Sequence, residues 1–329
     1  MIRHAAQTIV LCLVALATLT GCDRKSPSAA GTTEKSTERP QIVVDRLQRS
    51  VQLDRPAQRI VSLAPATTEL LFALGLGDRI VGATTYCNYP KQALSIPRVG
   101  GGTLESLSSE TIVSLKPDLV LCNWDSHQSL LDVLERLGIK VCAIGAQSLE
   151  ELYEETRWIG RLAHVNEAAE QFVSRMDARH SVLKSVVSSF EQDPPLRVFY
   201  EVWDEPLMTA APNSFIGEVL AEAGLENILS DTTTRYPRIS SETVIEGNPD
   251  LILAPTSHFE EVEIESFRSR PGWASISAVA NERIYLISGD EVSRCGPRLL
   301  DALSEIIVVA YPGAAEQVFG KPTEPEELR

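Results

Sequence analysis

The chain has 329 residues, 43% hydrophobic and 23% charged, with 45 acidic against 30 basic side chains and a net charge of −15. That length accommodates two ordinary domains with real cores, and the balance is that of a soluble globular protein. The acidity argues against nucleic acid or anionic lipid as a partner.

Residues 1–22 read as an export signal. Arg3 precedes an apolar run, Ile9 to Leu19, too short for the roughly 17–25 residues of a membrane span. It ends in Leu19-Thr20-Gly21-Cys22, which resembles the bacterial lipoprotein cleavage site, with Cys22 as the lipidated mature N-terminus. The alternative is an ordinary secretory signal with an incidental cysteine. Asp23 directly after that cysteine resembles the signal for retention at the inner membrane, so the expected location is its periplasmic side. Residues 23–41 are rich in Ser, Thr, Pro and charge without apolar periodicity, and we read them as a flexible tether.

An N-terminal lobe is expected over residues 42–164. It opens with a hairpin, Ile42 to Asp45 and Val51 to Leu53, followed by a buried strand Arg59 to Pro65 and a helix Thr68 to Leu74 closed by Gly75. Strand Arg79 to Thr84 leads into an inserted loop with Tyr86, Cys87, Tyr89 and Gly100 to Gly102. Next come a short helix, strand Asp118 to Cys122, the loop Asn123 to His127, helix Leu130 to Leu137, strand Lys140 to Ile144 and helix Glu150 to Ala163. Residues 165–192 hold one long helix, Asn166 to Phe190, uninterrupted by Gly or Pro. At 1.5 Å per residue it spans roughly 37 Å.

A C-terminal lobe is expected over residues 193–312, with strands Leu196 to Val202, Leu251 to Ala254 and Arg283 to Ser288. Its helices are Ser214 to Ala223, Ile264 to Val279 and Leu299 to Ala310, and residues 313–329 read as a loose tail. Strands alternating with single helices mean parallel βαβ units, and ligands on such sheets sit beyond the carboxyl ends of the strands.

The lobes repeat one another. Ser108-Ser109-Glu110-Thr111 through Pro117-Asp118-Leu119 recurs as Ser240-Ser241-Glu242-Thr243 through Pro249-Asp250-Leu251, at a constant offset of 132. Glu69 to Leu76 is echoed by Glu218 to Leu225 at an offset of 149. Periods this long mark domains rather than solenoid repeats, which run about 20–50 residues. The 17-residue difference is an insertion that must contain much of Tyr86 to Gly102.

Taken in order, Arg59 to Pro65 with Thr68-Glu69, Leu115-Lys116-Pro117-Asp118, Trp203-Asp204-Glu205-Pro206-Leu207 and Arg294-Cys295-Gly296-Pro297-Arg298 resemble the periplasmic-binding family of iron–siderophore, haem and cobalamin ABC importers. The likeness runs from about Ile42 to Tyr311 and is strongest to the cobalamin-binding branch. It implies an α/β fold of two similar parallel-sheet lobes joined by a single long rigid helix, with the ligand held in the cleft between them. It also implies that one surface glutamate on each lobe docks into the two-fold permease, which works with a cytoplasmic ATPase; the matching positions are Glu110 and Glu242. A pseudo-symmetric pair of acids suits a symmetric partner, although both also sit where a helix dipole favours an acid.

A corrinoid offers a broad apolar ring with amide arms, so its site should supply aromatic faces and polar donors. Tyr86, Tyr89, Trp124, Trp203 and Tyr236 fall at strand exits or in the insertion, and Asp290, Arg294 and Arg298 supply polar groups. By the resemblance, Trp124, Tyr236, Asp290 and Arg294 occupy cleft positions. Trp158 and Trp273 lie on apolar helix faces and are expected in the core. His127 and His258 follow equivalent strands and either face each other across the cleft, touching the ligand, or stand as solvated lip residues. The cobalamin branch often has further tryptophans, where this insertion carries tyrosines and glycines, so haem or a ferric siderophore is the alternative ligand. Of the cysteines, Cys122 and Cys142 are expected as packed thiols, with a disulfide as the other arrangement.

No resident metal or cofactor is expected, because the histidines at 127, 164, 180 and 258 lack metal-ligand spacing. There is no Gly-x-Ser-x-Gly or His-Glu-x-x-His, and Gly100 to Gly102 lacks the Gly-Lys-Ser/Thr of a phosphate loop, so an enzyme is not expected. A monomeric binding protein feeding an importer is the reading, with a ligand-binding sensor as its rival.

Overall fold

Every strand expected in the first lobe forms, and those of its parallel sheet are mostly buried because helices cover both faces, whereas the hairpin strands are half exposed. The computed structural model describes residues 42–101, 106–125, 127–190, 192–230, 232–256 and 263–320, all within the unit Pro40–Arg329. The expected leader, with Cys22, and the tether lie outside the described residues.

A hairpin of β1 (Ile42–Val44) and β2 (Ser50–Gln52) is antiparallel, and the Asp45 carboxylate ties its turn by accepting the Leu47 and Arg49 amides at 3.0 Å each. The first lobe is then β3 (Ile60–Ser62), α1 (Pro65–Ala73), β4 (Ile80–Ala83), α2 (Ser109–Ser114), β5 (Leu119–Asn123), α3 (Gln128–Arg136), β6 (Val141–Ile144) and α4 (Leu149–Ala163). α1 begins three residues earlier than expected, since Pro65 suits a first helical position whose amide needs no partner. α5 (Asn166–Phe190) forms as one helix.

The second lobe runs β7 (Arg197–Trp203), β8 (Met208–Thr209), α6 (Phe215–Glu222), β9 (Glu226–Asn227), α7 (Ser241–Gly247), β10 (Leu251–Thr256), α8 (Ile264–Ser269), α9 (Ser277–Ala280), β11 (Ile284–Ser288), α10 (Gly289–Val292), α11 (Leu299–Ala310) and α12 (Ala315–Phe319). Two expectations are corrected. The helix expected over Ile264 to Val279 is split into α8, a 3-10 turn at Trp273–Ser275 and α9, because Pro271-Gly272 cannot continue it. Residues after Pro312 are not a loose tail as far as they are described: α12 forms, and Val318 packs on the core beside buried Ala314.

Both sheets share one topology. The first has the order β4-β3-β5-β6, all parallel. In the second, β7 pairs parallel with β9 on one side and β10 on the other, β11 follows β10, and the short β8 adds antiparallel to the end of β7. The repeated Pro-Asp does the same work in both lobes: Asp118 accepts the Arg59 amide and Asp250 the Arg197 amide, each at 2.9 Å, pinning the start of the neighbouring strand. The repeated helix ends match too, with left-handed Gly75 and Gly224 and amides of Leu76 and Leu225 reaching back to Leu71 and Leu220.

α5 joins the lobes by packing against α4 on one side and α11 on the other. Its buried face, Ala169, Phe172, Val173, Met176, Leu183, Val186 and Val187, belongs to a single apolar core that continues into both lobes. Smaller clusters around Val61 and Val120, and around Phe199 and Trp273, fill the opposite face of each sheet.

Candidate functional site

In each lobe the chain leaves the central strand in one direction and returns on its other side. That places topological switch points between β3 and β5 and between β7 and β10. The exits there are Pro65 and Trp124 in the first lobe, and Trp203 in the second. These edges meet: a cavity of about 170 Å³ is lined by Pro65, Asn123 and Gly145 from the first lobe and by Ser293, Arg294 and Cys295 from the second.

An ion network spans this junction. Glu69 on α1, only 4% exposed, accepts Arg298 through both carboxylate oxygens, at 2.9 Å from Nε and 2.7 Å from Nη2, and Arg294 Nη1 at 3.1 Å. Arg294 also donates to Asn88 Oδ1 at 3.0 Å and to Asp290, while Asn88 Nδ2 donates to Asp290 at 3.0 Å. Arg298 completes its set with Glu291 at 2.8 Å and lies 4.0 Å above the Tyr89 ring. Its hydrogen bonds to Glu69 raise the Arg298 pKa against the opposing effect of burial. Tyr89, Asp290 and Arg294 are thus brought together, but as a clasp whose polar groups already hold one another. Neither Glu69 nor Asn88 is among the site residues expected from the sequence, where Glu69 figures only in the repeat and the family motif; the signal for it is an acid directly before the apolar run Leu70-Leu71-Phe72.

The aromatic candidates are mostly uncovered. Tyr86 is 48% exposed, Tyr89 47% and Trp203 51%, and Tyr236 is exposed as well. Trp203 is held by donating from Nε1 to Glu205 O at 2.8 Å. Its loop is anchored from below by Arg270, which pairs with buried Glu201 and with Asp204 at 2.8 Å and is flanked by the rings of Phe267 and Trp273 at 4.6 and 4.5 Å. Trp124 stands apart from the clasp. It donates to Gly145 O at 3.2 Å and lines a groove of about 790 Å³ with Arg46, Gln147, Trp158 and Arg235. Gly145 is required there: at φ +136° an added Cβ meets Trp124 at 3.0 Å and Asn123 at 2.9 Å. Buried Glu155 holds the same turn by accepting the Gly145 and Ala146 amides, and burial raises its pKa although Arg46 opposes the shift. Trp273 is fully buried, and Trp158, half-buried beneath Arg46, packs against the core, both as expected.

His127 does not stand on the cleft lip. It is 2% exposed, and its Nδ1 accepts the Asn123 amide at 3.2 Å, because the residue is drawn under the β5–α3 turn as the cap of α3. His258 lies outside the described residues. Cys122 and Cys142 are free thiols on the adjacent strands β5 and β6.

Glu110 and Glu242 occupy the same place in each lobe, exposed in the first turn of α2 and α7 behind Ser108 and Ser240, which cap Thr111 N and Thr243 N. The Glu242 carboxyl is held below its ordinary pKa by its own amide and the Ser240 hydroxyl.

The periplasmic binding protein family matches residues 60–291. The chain belongs to that family. A Bacillus subtilis protein, the uncharacterized ABC transporter substrate-binding lipoprotein YvrC, is 31% identical over 306 residues, covering 91% of this chain and 95% of its own length. The vitamin B12-binding protein of Vibrio cholerae is 30% identical over 253 residues, covering 76% and 88%. Its crystal structure, that of periplasmic BtuF, superposes with a TM-score of 0.68 over 78% of this chain and 97% of that one. The haem-binding protein BhuT, at 22% identity and a TM-score of 0.71 over 78% and 98%, shares the fold. The family makes the chain a substrate-binding protein of an ABC transporter, so a permease and an ATPase are its implied partners, and its relatives are binding proteins rather than enzymes. Among the described residues no helix is long and apolar enough to cross a membrane.

Proposed function

We propose that the protein captures cobalamin, or a related corrinoid, in the cleft between its lobes and delivers it to an ABC permease, from a position on the outer face of the cytoplasmic membrane held by lipid on Cys22. The observation that carries the ligand assignment is the set of uncovered aromatic faces at the strand exits. Tyr89 presents one face to the cleft while Arg298 backs the other, and Trp203 projects from an anchored loop beside the second switch point. In this reading Tyr86 and Tyr236 are further exposed rings, Trp124 serves from the neighbouring groove, and Asp290 and Arg294 supply polar groups. Broad, ring-shaped ligands bury large areas against such faces with few polar contacts. The likeness to vitamin B12-binding relatives supports the same choice.

Delivery rests on Glu110 and Glu242. Two exposed carboxylates at equivalent positions of pseudo-symmetric lobes offer a two-fold permease a matched pair of charges. Charge reversal separates an importer from a sensor: Glu110→Lys with Glu242→Lys abolishes uptake of cyanocobalamin in cells while the purified variant binds it with wild-type affinity. Undiminished uptake by that variant would remove the docking role.

A haem-binding reading has one observation in its favour, the 48% exposed Tyr86, whose phenol is of the kind that ligates haem iron. Titration with haemin separates the two.

A further inference from the structure

We propose that Glu69 is a specificity-determining residue of the cleft: by discharging both cleft arginines from the opposite lobe it makes the site reject anionic ligands and accept neutral or cationic metal chelates. The inference deepens the corrinoid reading and rests on its placing of the ligand at this junction. Arg294 and Arg298 would by themselves make this edge a receptor for carboxylates, since guanidinium forks match carboxylates in geometry and charge. Here both guanidiniums are already engaged by carboxylates. Glu69 takes two donors of Arg298 and one of Arg294, Asp290 takes another of Arg294, and Glu291 another of Arg298. Three carboxylates against two guanidiniums leave the cluster at a formal charge of −1.

A ligand with two anionic propionates, such as haem, meets that excess negative charge. To gain an arginine it must displace Glu69, leaving a 4% exposed carboxylate without partners, which is the costly way to break a buried pair. Cyanocobalamin carries no net charge and needs no such exchange; its amide arms are served by carboxylate acceptors and by Asn88. The lone carboxylate facing two arginines is not repeated in the second lobe. For Glu218, the echo of Glu69, burial raises the pKa against the single nearby arginine, Arg235, and Glu151 and Glu150 push the same way as burial. The charge filter therefore belongs to one side of the molecule.

The test measures the affinities of the detergent-solubilised full chain for cyanocobalamin and for haemin, in wild type, Glu69→Gln and Glu69→Asp. Glu69→Gln removes the charge and keeps the shape, and is expected to shift the affinity ratio towards haemin by about tenfold, the effect of one charge at close range in a partly screened site. Glu69→Asp keeps the charge on a shorter arm, so both affinities fall and the ratio stays. Should Glu69→Gln fail to fold, Asp290→Asn on the adjoining loop removes a second carboxylate of the same cluster and is expected to move the ratio in the same direction. A ratio unchanged in the folded Gln variant, or in Asp290→Asn, overturns the proposal and leaves Glu69 a structural staple. The wild-type preference reads the corrinoid assignment on its own, and the change in ratio on substitution reads Glu69, so the two fail separately.

Discussion

Arg270 shows how a single partly buried residue holds an exposed aromatic loop in place. Its guanidinium sits between two aromatic rings and joins Glu201 and Asp204, on either side of Trp203. Arg270→Gln strands the buried Glu201 carboxylate and is expected to lower stability by about 3–5 kcal/mol, read by urea unfolding. An unchanged midpoint would show the pair contributes nothing. Trp203→Ala, by contrast, leaves stability near wild type, because the ring is half exposed, and weakens cyanocobalamin binding by roughly 3–10-fold, the worth of a lost stacking face of about 0.5–1.5 kcal/mol. The buried thiols respond to pH. Burial pushes Cys122 from 9.0 up to about 12, so the folded chain keeps it neutral where the unfolded chain ionises it. Its contribution to stability is complete below pH 9 and is lost as pH rises towards 12. Native Cys122 and Cys142 are accordingly expected to resist iodoacetamide at pH 8, with intact mass as the readout; rapid alkylation of either would contradict the packing.

At the scale of elements, α5 is the joint on which both lobes depend. Leu183→Ala, at a position 1% exposed in the core shared by the lobes, is expected to cost about 2–5 kcal/mol and to lower a single thermal transition. Two separate transitions would mean the lobes melt independently of the helix. This helix was legible in the sequence because seven apolar residues at helical spacing all face inward, without Gly or Pro between them. The strands of the repeat were legible for a similar reason, as short apolar runs closed by proline and aspartate. What the sequence hid was tertiary. Local pattern alone does not say that Pro271-Gly272 outweighs the apolar periodicity around Trp273, or that β8 and β9, two residues each, find a partner in β7. The same limit applied to the site. Aromatic exits were read from strand ends, but the pairing of Glu69 with arginines 225 and 229 residues away depends on how the lobes meet. His127 looked like a lip residue because it follows a strand, and it is buried because its ring closes the turn it begins.

For the whole molecule, the shared core through α5 and the clasp at Glu69 describe lobes held in one arrangement before any ligand arrives. Capture is accordingly expected to proceed with little closure, with X-ray scattering of the free and loaded protein giving superposable curves; a marked contraction on loading would show that the clasp yields. On the proposed docking role, Glu110 and Glu242 would offer the permease the same two contact points in either state, which leaves cleft chemistry as the source of selectivity. The most direct test of that account is calorimetric titration of the full-length wild-type protein with cyanocobalamin, beside haemin and ferric siderophores. The account predicts saturable one-to-one binding of cyanocobalamin with quenching of tryptophan fluorescence, and no comparable heat from the others. Tight binding of haemin or a siderophore, with none of cyanocobalamin, would contradict it.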